Sequence, residues 1–102
     1  MTDTKFSIGQ QVEHKRFDYR GLIFDVDATF AGTEAWYTQM ATSKPPKHEP
    51  WYHVMVHEAD HTTYVAERNL RAHLGTGYID HPLLGTYFNG FEDGVYKPVA
   101  AH

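Results

Sequence analysis

The stretch Trp51-Tyr52-His53-Val54-Met55-Val56-His57-Glu58-Ala59-Asp60-His61-Thr62-Thr63-Tyr64-Val65-Ala66 decides the fold. Its centre, His57 to His61, fits H-E-x-x-H, the zinc-peptidase signature. That motif works only on a helix, where residues i and i+4 lie about 5–6 Å apart and can share one metal. On an extended chain the same spacing covers about 13 Å, at roughly 3.3 Å per residue. The flanks, Trp51–Val56 and Thr62–Ala66, are β-branched and aromatic and poor helix material. The longer metzincin form also fails, because Tyr64 and Glu67 stand where it needs glycine and histidine. The segment therefore predicts two strands joined by a polar tip at 58–61, and no peptidase.

The same pattern of pleated runs extends outward. Ile8–His14 reads as a first strand. Leu22–Asp27 alternates, with Leu22, Phe24 and Val26 on one parity and Ile23, Asp25 and Asp27 on the other. The link Lys15–Gly21 between these runs has no helical period and predicts a hairpin connection. Thr33 can cap a short helix to Ala41, with Trp36, Tyr37 and Met40 on one face. Residues 43–50, with three prolines, form a loop. Glu67–Leu70 predicts a tight turn and Arg71–His73 a last short strand. Asp80 is placed to cap a turn that carries Pro82 early and stops at Asn89-Gly90.

Composition narrows the function. The chain has 102 residues, 41% hydrophobic and 15% aromatic, which suits one ordinary globular domain. It has no cysteine, so a disulfide framework or thiolate chemistry is excluded. No apolar run has the length of a signal peptide or membrane span, so a soluble cytoplasmic protein is expected. The net charge of −4 is not that of a typical nucleic-acid binder. Its distribution is uneven, however: Lys15, Arg16 and Arg20 cluster in one connection with His14 and Tyr19, a set suited to phosphate contact and stacking.

Catalytic and cofactor chemistry finds no footing. Ser7 and Ser43 lack a nucleophile-elbow context, and no glycine run matches a nucleotide fingerprint. Asp25 and Asp27 read as surface strand acids. His53, Met55 and His57 share a strand face with Trp51 but read as polar strand positions, so no metal and no cofactor are expected.

Three runs together, Lys5–Asp27 ("KFSIGQQVEHKRFDYRGLIFDVD"), Pro50–Val56 ("PWYHVMV") and Thr62–Leu70 ("TTYVAERNL"), resemble the family of heat-shock protein HspQ, the YccV-like or hemimethylated-DNA-binding family. The tail from His81 to Tyr96 resembles longer members. The resemblance implies a mainly β fold: a small SH3-like barrel of about five strands with one or two short helical segments. It implies a single domain over 1–102, with the barrel over about 5–73 and a C-terminal extension over about 74–102. It also implies no enzymatic activity, binding to hemimethylated double-stranded DNA, influence on replication-initiator levels, a heat-shock role with the Lon protease, and homo-oligomers.

Two binding modes follow. A DNA-binding mode would draw on Lys15, Arg16, Tyr19, Arg20, Arg68 and Arg71, the plausible local supply of cations. A protein-adaptor mode would use aromatic anchors at Trp36, Tyr37, Tyr87, Phe88 and Phe91.

Overall fold

The computed structural model describes residues 4–41 and 43–99. Strands β1 (Gln11–His14), β2 (Arg20–Asp27), β3 (Trp51–Val56), β4 (Thr62–Ala66) and β5 (Leu70–Ala72) form one antiparallel sheet in the order β4-β3-β2-β1-β5. Helix α1 (Glu34–Met40) lies between β2 and β3. After β5 come a single helical turn α2 (Leu84–Tyr87) and a separate hairpin of β6 (Phe88–Glu92) and β7 (Val95–Pro98). The protein is mainly β, as expected. Its sheet has the expected five strands, but no ladder joins β4 to β5. A 3-10 turn at Glu67–Asn69 carries the chain between these two edges, so the sheet curls until its ends stand one turn apart. No helix among the described residues is long and apolar enough to cross a membrane.

The 51–66 segment is two antiparallel strands, with His53 opposite Tyr64 and Met55 opposite Thr62. The zinc-peptidase reading therefore fails on geometry. His57 Nδ1 accepts the Asp80 amide (2.9 Å) and its Nε2 lies 3.2 Å from Glu58 Oε1. The histidine pins the tip to the C-terminal segment.

Strand β3 carries buried apolar side chains on both faces because both are largely covered; His53, at the middle of the outer face, is the partly exposed exception. Its inner face gives Tyr52 and Val54 to a core with Phe6, Val12, Ile23, Val65 and Leu70. Its outer face is roofed twice. At one end Trp51 and Ala66 lie under Phe30, Trp36 and Tyr37 of α1 and its approach. At the other, Leu22 and Met55 lie under Ile79, Phe88 and Tyr96. Each such fully buried side chain contributes about 1.5–3 kcal/mol. The described part of 74–102 is thus a packed layer on the sheet.

Five local expectations need correction. Leu22, Phe24 and Val26 do not share a face: the register shifts between Ile23 and Asp25, so Phe24 is bulged. Leu22 and Phe24 point to the C-terminal layer, whereas Ile23 and Val26 point inward. The first strand starts at Gln11, since Gly9 has φ +93°. Gly9 donates to Ile23 O and accepts from Tyr96 N, both at 2.8 Å, which joins the sheet to the C-terminal hairpin. The last strand spans Leu70–Ala72. Asn89-Gly90 does not stop a turn; both lie inside β6, and the chain reverses at Asp93-Gly94, where φ is +53° and +83°. Asp80 does not cap α2: the His81 ring accepts the Leu83 amide there (3.1 Å).

Helix α1 follows its sequence signal. Thr33 Oγ1 accepts the Trp36 amide at 3.1 Å as an N-cap. Trp36 and Tyr37 pack inward, while Met40, one turn beyond Trp36, is 62% exposed and outside that cluster.

Candidate functional site

The β1–β2 connection, Lys15–Tyr19, is a tight tip built around one histidine. His14 N donates to Tyr19 O and Asp18 N to His14 O, both at 2.9 Å. Asp18 then turns the chain in the left-handed region (φ +61°). The His14 ring is buried, and its Nδ1 accepts both the Arg16 and Phe17 amides at 3.1 Å. A ring nitrogen that accepts two N–H groups must carry no proton, so His14 is held neutral with its hydrogen on Nε2. Burial, reinforced by the Arg16 charge, moves its pKa below the usual 6.5. The ring also lies 4.7 Å from Phe17 and 5.2 Å from Tyr19, centre to centre.

The predicted cations separate into two groups. Lys15 and Arg16 are exposed at the tip, and among the described residues neither has a carboxylate partner. The rest are engaged. Arg20 donates to Tyr78 O (2.6 Å), with Nη2 3.0 Å from His57, and so holds down the C-terminal segment. Arg71 is shared between Glu13 (2.9 Å) and Asp18 (3.4 Å). Glu13 also meets His73 at 2.6 Å, and these two partners hold its pKa low. Arg68 faces Glu49 at 3.7 Å. Tyr19 is half-buried; its hydroxyl bonds Thr63 (2.7 Å), and burial raises its pKa.

A groove of about 610 Å³ runs from this tip along β4 to α1. His14, Arg16, Phe17, Tyr19, Trp36 and His61 contribute to its wall, and among the described residues no carboxylate lines it. In a chain with thirteen acids, that is a local reversal of the overall charge. Among the described residues no strand pairs the β4 edge along it, since β3 pairs its other side.

The proposed protein anchors are dispersed. Trp36 and Tyr37 are half-buried against Trp51, and the Tyr37 hydroxyl donates to Pro45 O (2.7 Å). Phe88 is 4% exposed and belongs to the core, so it is not available to a partner without opening the C-terminal layer. Phe91 is half-buried and stacks on Tyr78 at 4.6 Å, and Tyr87 is 40% exposed. Sequence reasoning did not single out Phe17, which is 67% exposed, nor Tyr78 at 72% and Leu74 at 90%. The signal for Phe17 was present: one phenyl ring inside a charged five-residue turn.

A second cluster forms where β2 and β3 meet. Asp25, Asp27 and His53 each place one potential metal-ligand atom within 4.8 Å of the others. Within it, Asp27 Oδ2 lies 3.0 Å from His53 Nε2 and accepts from the Tyr64 hydroxyl at 2.7 Å. Burial and this acceptor push Tyr64 up to about 12. The three could hold a divalent cation by ligand type, but their internal hydrogen bonds already satisfy much of the set.

The chain is similar to known proteins over nearly its whole length. A family model described as hemimethylated DNA-binding protein YccV like matches residues 4–95. F-box only protein 21 of Mus musculus is 33% identical over 100 residues, which is 96% of this chain and 16% of that protein. The chain thus spans a small part of the curated relative it matches. The matched range includes the sheet, the tip and most of the C-terminal layer, and on that evidence the chain belongs to the YccV-like hemimethylated DNA-binding protein family.

Proposed function

We propose that the protein acts by binding, without catalysis, and that it docks the β1–β2 tip against duplex DNA. One observation carries this reading: Lys15 and Arg16, the cations of the predicted set without a carboxylate partner among the described residues, stand beside an exposed phenyl ring at the mouth of a groove with no carboxylate in its lining. Strands β1 and β2 are flanked by β5 and β3, so it is the projecting tip Lys15–Tyr19 that would enter the major groove, which is about 12 Å wide. The family description supports a hemimethylated duplex as the ligand. Two free cations give weak binding per copy, and a homo-oligomer would gather several tips and gain by multivalency. The regulation of replication-initiator levels in a heat-shock response would follow from such binding. The test is amide chemical-shift mapping on adding a short hemimethylated duplex. Shifts should concentrate at 15–19 and 61–64; shifts confined to the C-terminal hairpin would refute the tip.

A second reading is favoured by Leu74 and Tyr78, large apolar side chains left exposed on the segment that crosses from β5 to α2. They suit an adaptor or allosteric enhancer of the Lon protease. Deleting 78–102 would uncover Leu22 and Met55, so that truncation cannot test it. The double variant Leu74→Ser, Tyr78→Ser should leave the fold intact and abolish stimulation of Lon; unchanged stimulation would remove this surface from the account.

A further inference from the structure

The tip presents a single exposed apolar group. Phe17 projects between Arg16 and Asp18 and is 67% exposed. It is not a loose side chain. Its amide is fixed to His14 Nδ1, and the buried imidazole backs its ring at a 34° tilt. The Arg16 guanidinium lies 5.8 Å from the ring centre. The chain turns away immediately after it, at Asp18. The ring is therefore held at the apex of the tip between β1 and β2, after two cations that have no carboxylate partner among the described residues.

Each neighbour at the apex has a different use. Lys15 and Arg16 suit phosphates, whose contacts position a protein on DNA but carry no sequence information. Asp18 is engaged by Arg71 and repels phosphate. What remains for a base edge is the phenyl ring, which makes no strong hydrogen bond but can exclude water from a methyl group. Base methyls project into the major groove, and a phenyl ring is one of the side chains that contacts them. We propose that Phe17 is the specificity-determining residue of this protein, and that it packs on a base methyl in the major groove while Lys15 and Arg16 hold the flanking backbone. This rests on the duplex-binding reading and adds to it the residue that would contact the methyl group.

Burying one methyl against the ring is worth about a fourfold change in affinity, by the transfer value for a single carbon. The experiment compares two duplexes of one sequence, unmethylated and carrying a methyl on one strand, by fluorescence anisotropy over a range of salt. Wild type should favour the methylated duplex about fourfold or more. Phe17→Ala should bind both alike, with an unchanged salt slope and only a small fall in Tm, from the lost contact with the His14 ring. Lys15→Ala with Arg16→Ala should weaken both duplexes equally and keep the preference. A Phe17→Ala protein that still discriminates as wild type does would overturn the assignment while leaving duplex binding in place. Wild type that binds neither duplex would overturn the assignment together with the reading beneath it.

Discussion

Replacing His14 tests how the tip is held. In His14→Ala, the Arg16 and Phe17 amides lose their shared acceptor, and the Phe17 and Tyr19 rings lose a neighbour. A neutral hydrogen bond contributes about 0.5–1.5 kcal/mol net, and the part-exposed amides recover some of this from water. The lost ring contacts cost about 0.5–1.5 kcal/mol. The sum is about 2 kcal/mol, or roughly 10 °C in Tm for a domain of this size. Asparagine offers a carbonyl acceptor on a short side chain, so His14→Asn should lose about half as much. The wild-type tip should also respond to acid. Its folded pKa lies below the ordinary 6.5, so the unfolded chain takes the proton first as pH falls. The stability from His14 is therefore whole above about pH 6.5 and declines as pH falls through its lowered folded value. Urea denaturation across pH 5–8 and the Arg16 and Phe17 amide shifts read the two effects. In His14→Asn that part of the acid dependence should vanish. The reasoning fails if the tip amides of His14→Asn titrate as in wild type, or if His14→Ala costs nothing.

Three further predictions follow from the fold. Gly9→Ala places a Cβ 2.0 Å from Tyr96 O at a φ of +93°, and should cost at least about 2 kcal/mol in thermal unfolding; a Tm within a degree of wild type would contradict the Gly9–Tyr96 link. Phe88→Ala should cost about 3–5 kcal/mol, as a core residue does, and should not act as a surface variant; a loss under about 1 kcal/mol in urea would place Phe88 at the surface. Tyr52 and Tyr64 are both pushed up to about 12, each by burial and then by a carboxylate acceptor, Glu67 and Asp27 respectively. Their neutral forms belong to the folded state, so stability should fall as pH rises from 10 towards 12, and ultraviolet titration of the folded protein should show these two tyrosines ionising late, with Tyr19 also delayed by its burial; all seven tyrosines ionising near 10 in the folded protein would refute this.

The sheet was legible because its signals are local. Trp51–Ala66 carries β-branched and aromatic runs around a polar tip, and Thr33 sits one residue before a helix whose Trp36 and Tyr37 face inward. The C-terminal hairpin was also written locally, in Asp93-Gly94, but Asn89-Gly90 carries a competing turn signal four residues earlier. Alternation alone could not reveal the Phe24 bulge, since a period of two assumes unbroken register. The site was less legible because its sorting is tertiary. Arg20 and Arg71 look as free as Lys15 in the sequence, yet their partners Tyr78 and Glu13 lie 58 residues away. The groove is assembled from the tip, α1 with the segment that follows it, and β4, so its lack of carboxylates belongs to no single stretch.

The most direct measurement is duplex affinity against salt for wild type and for Lys15→Ala with Arg16→Ala. Each phosphate contact contributes about 0.9 to the log–log slope, so removal of two should flatten it by about 1.8 and weaken binding at low salt. Arg20→Ala and Arg71→Ala, whose cations serve the fold, should leave the slope unchanged in whatever protein remains folded. A double variant whose slope and affinity equal those of wild type would contradict a DNA interface at the β1–β2 tip.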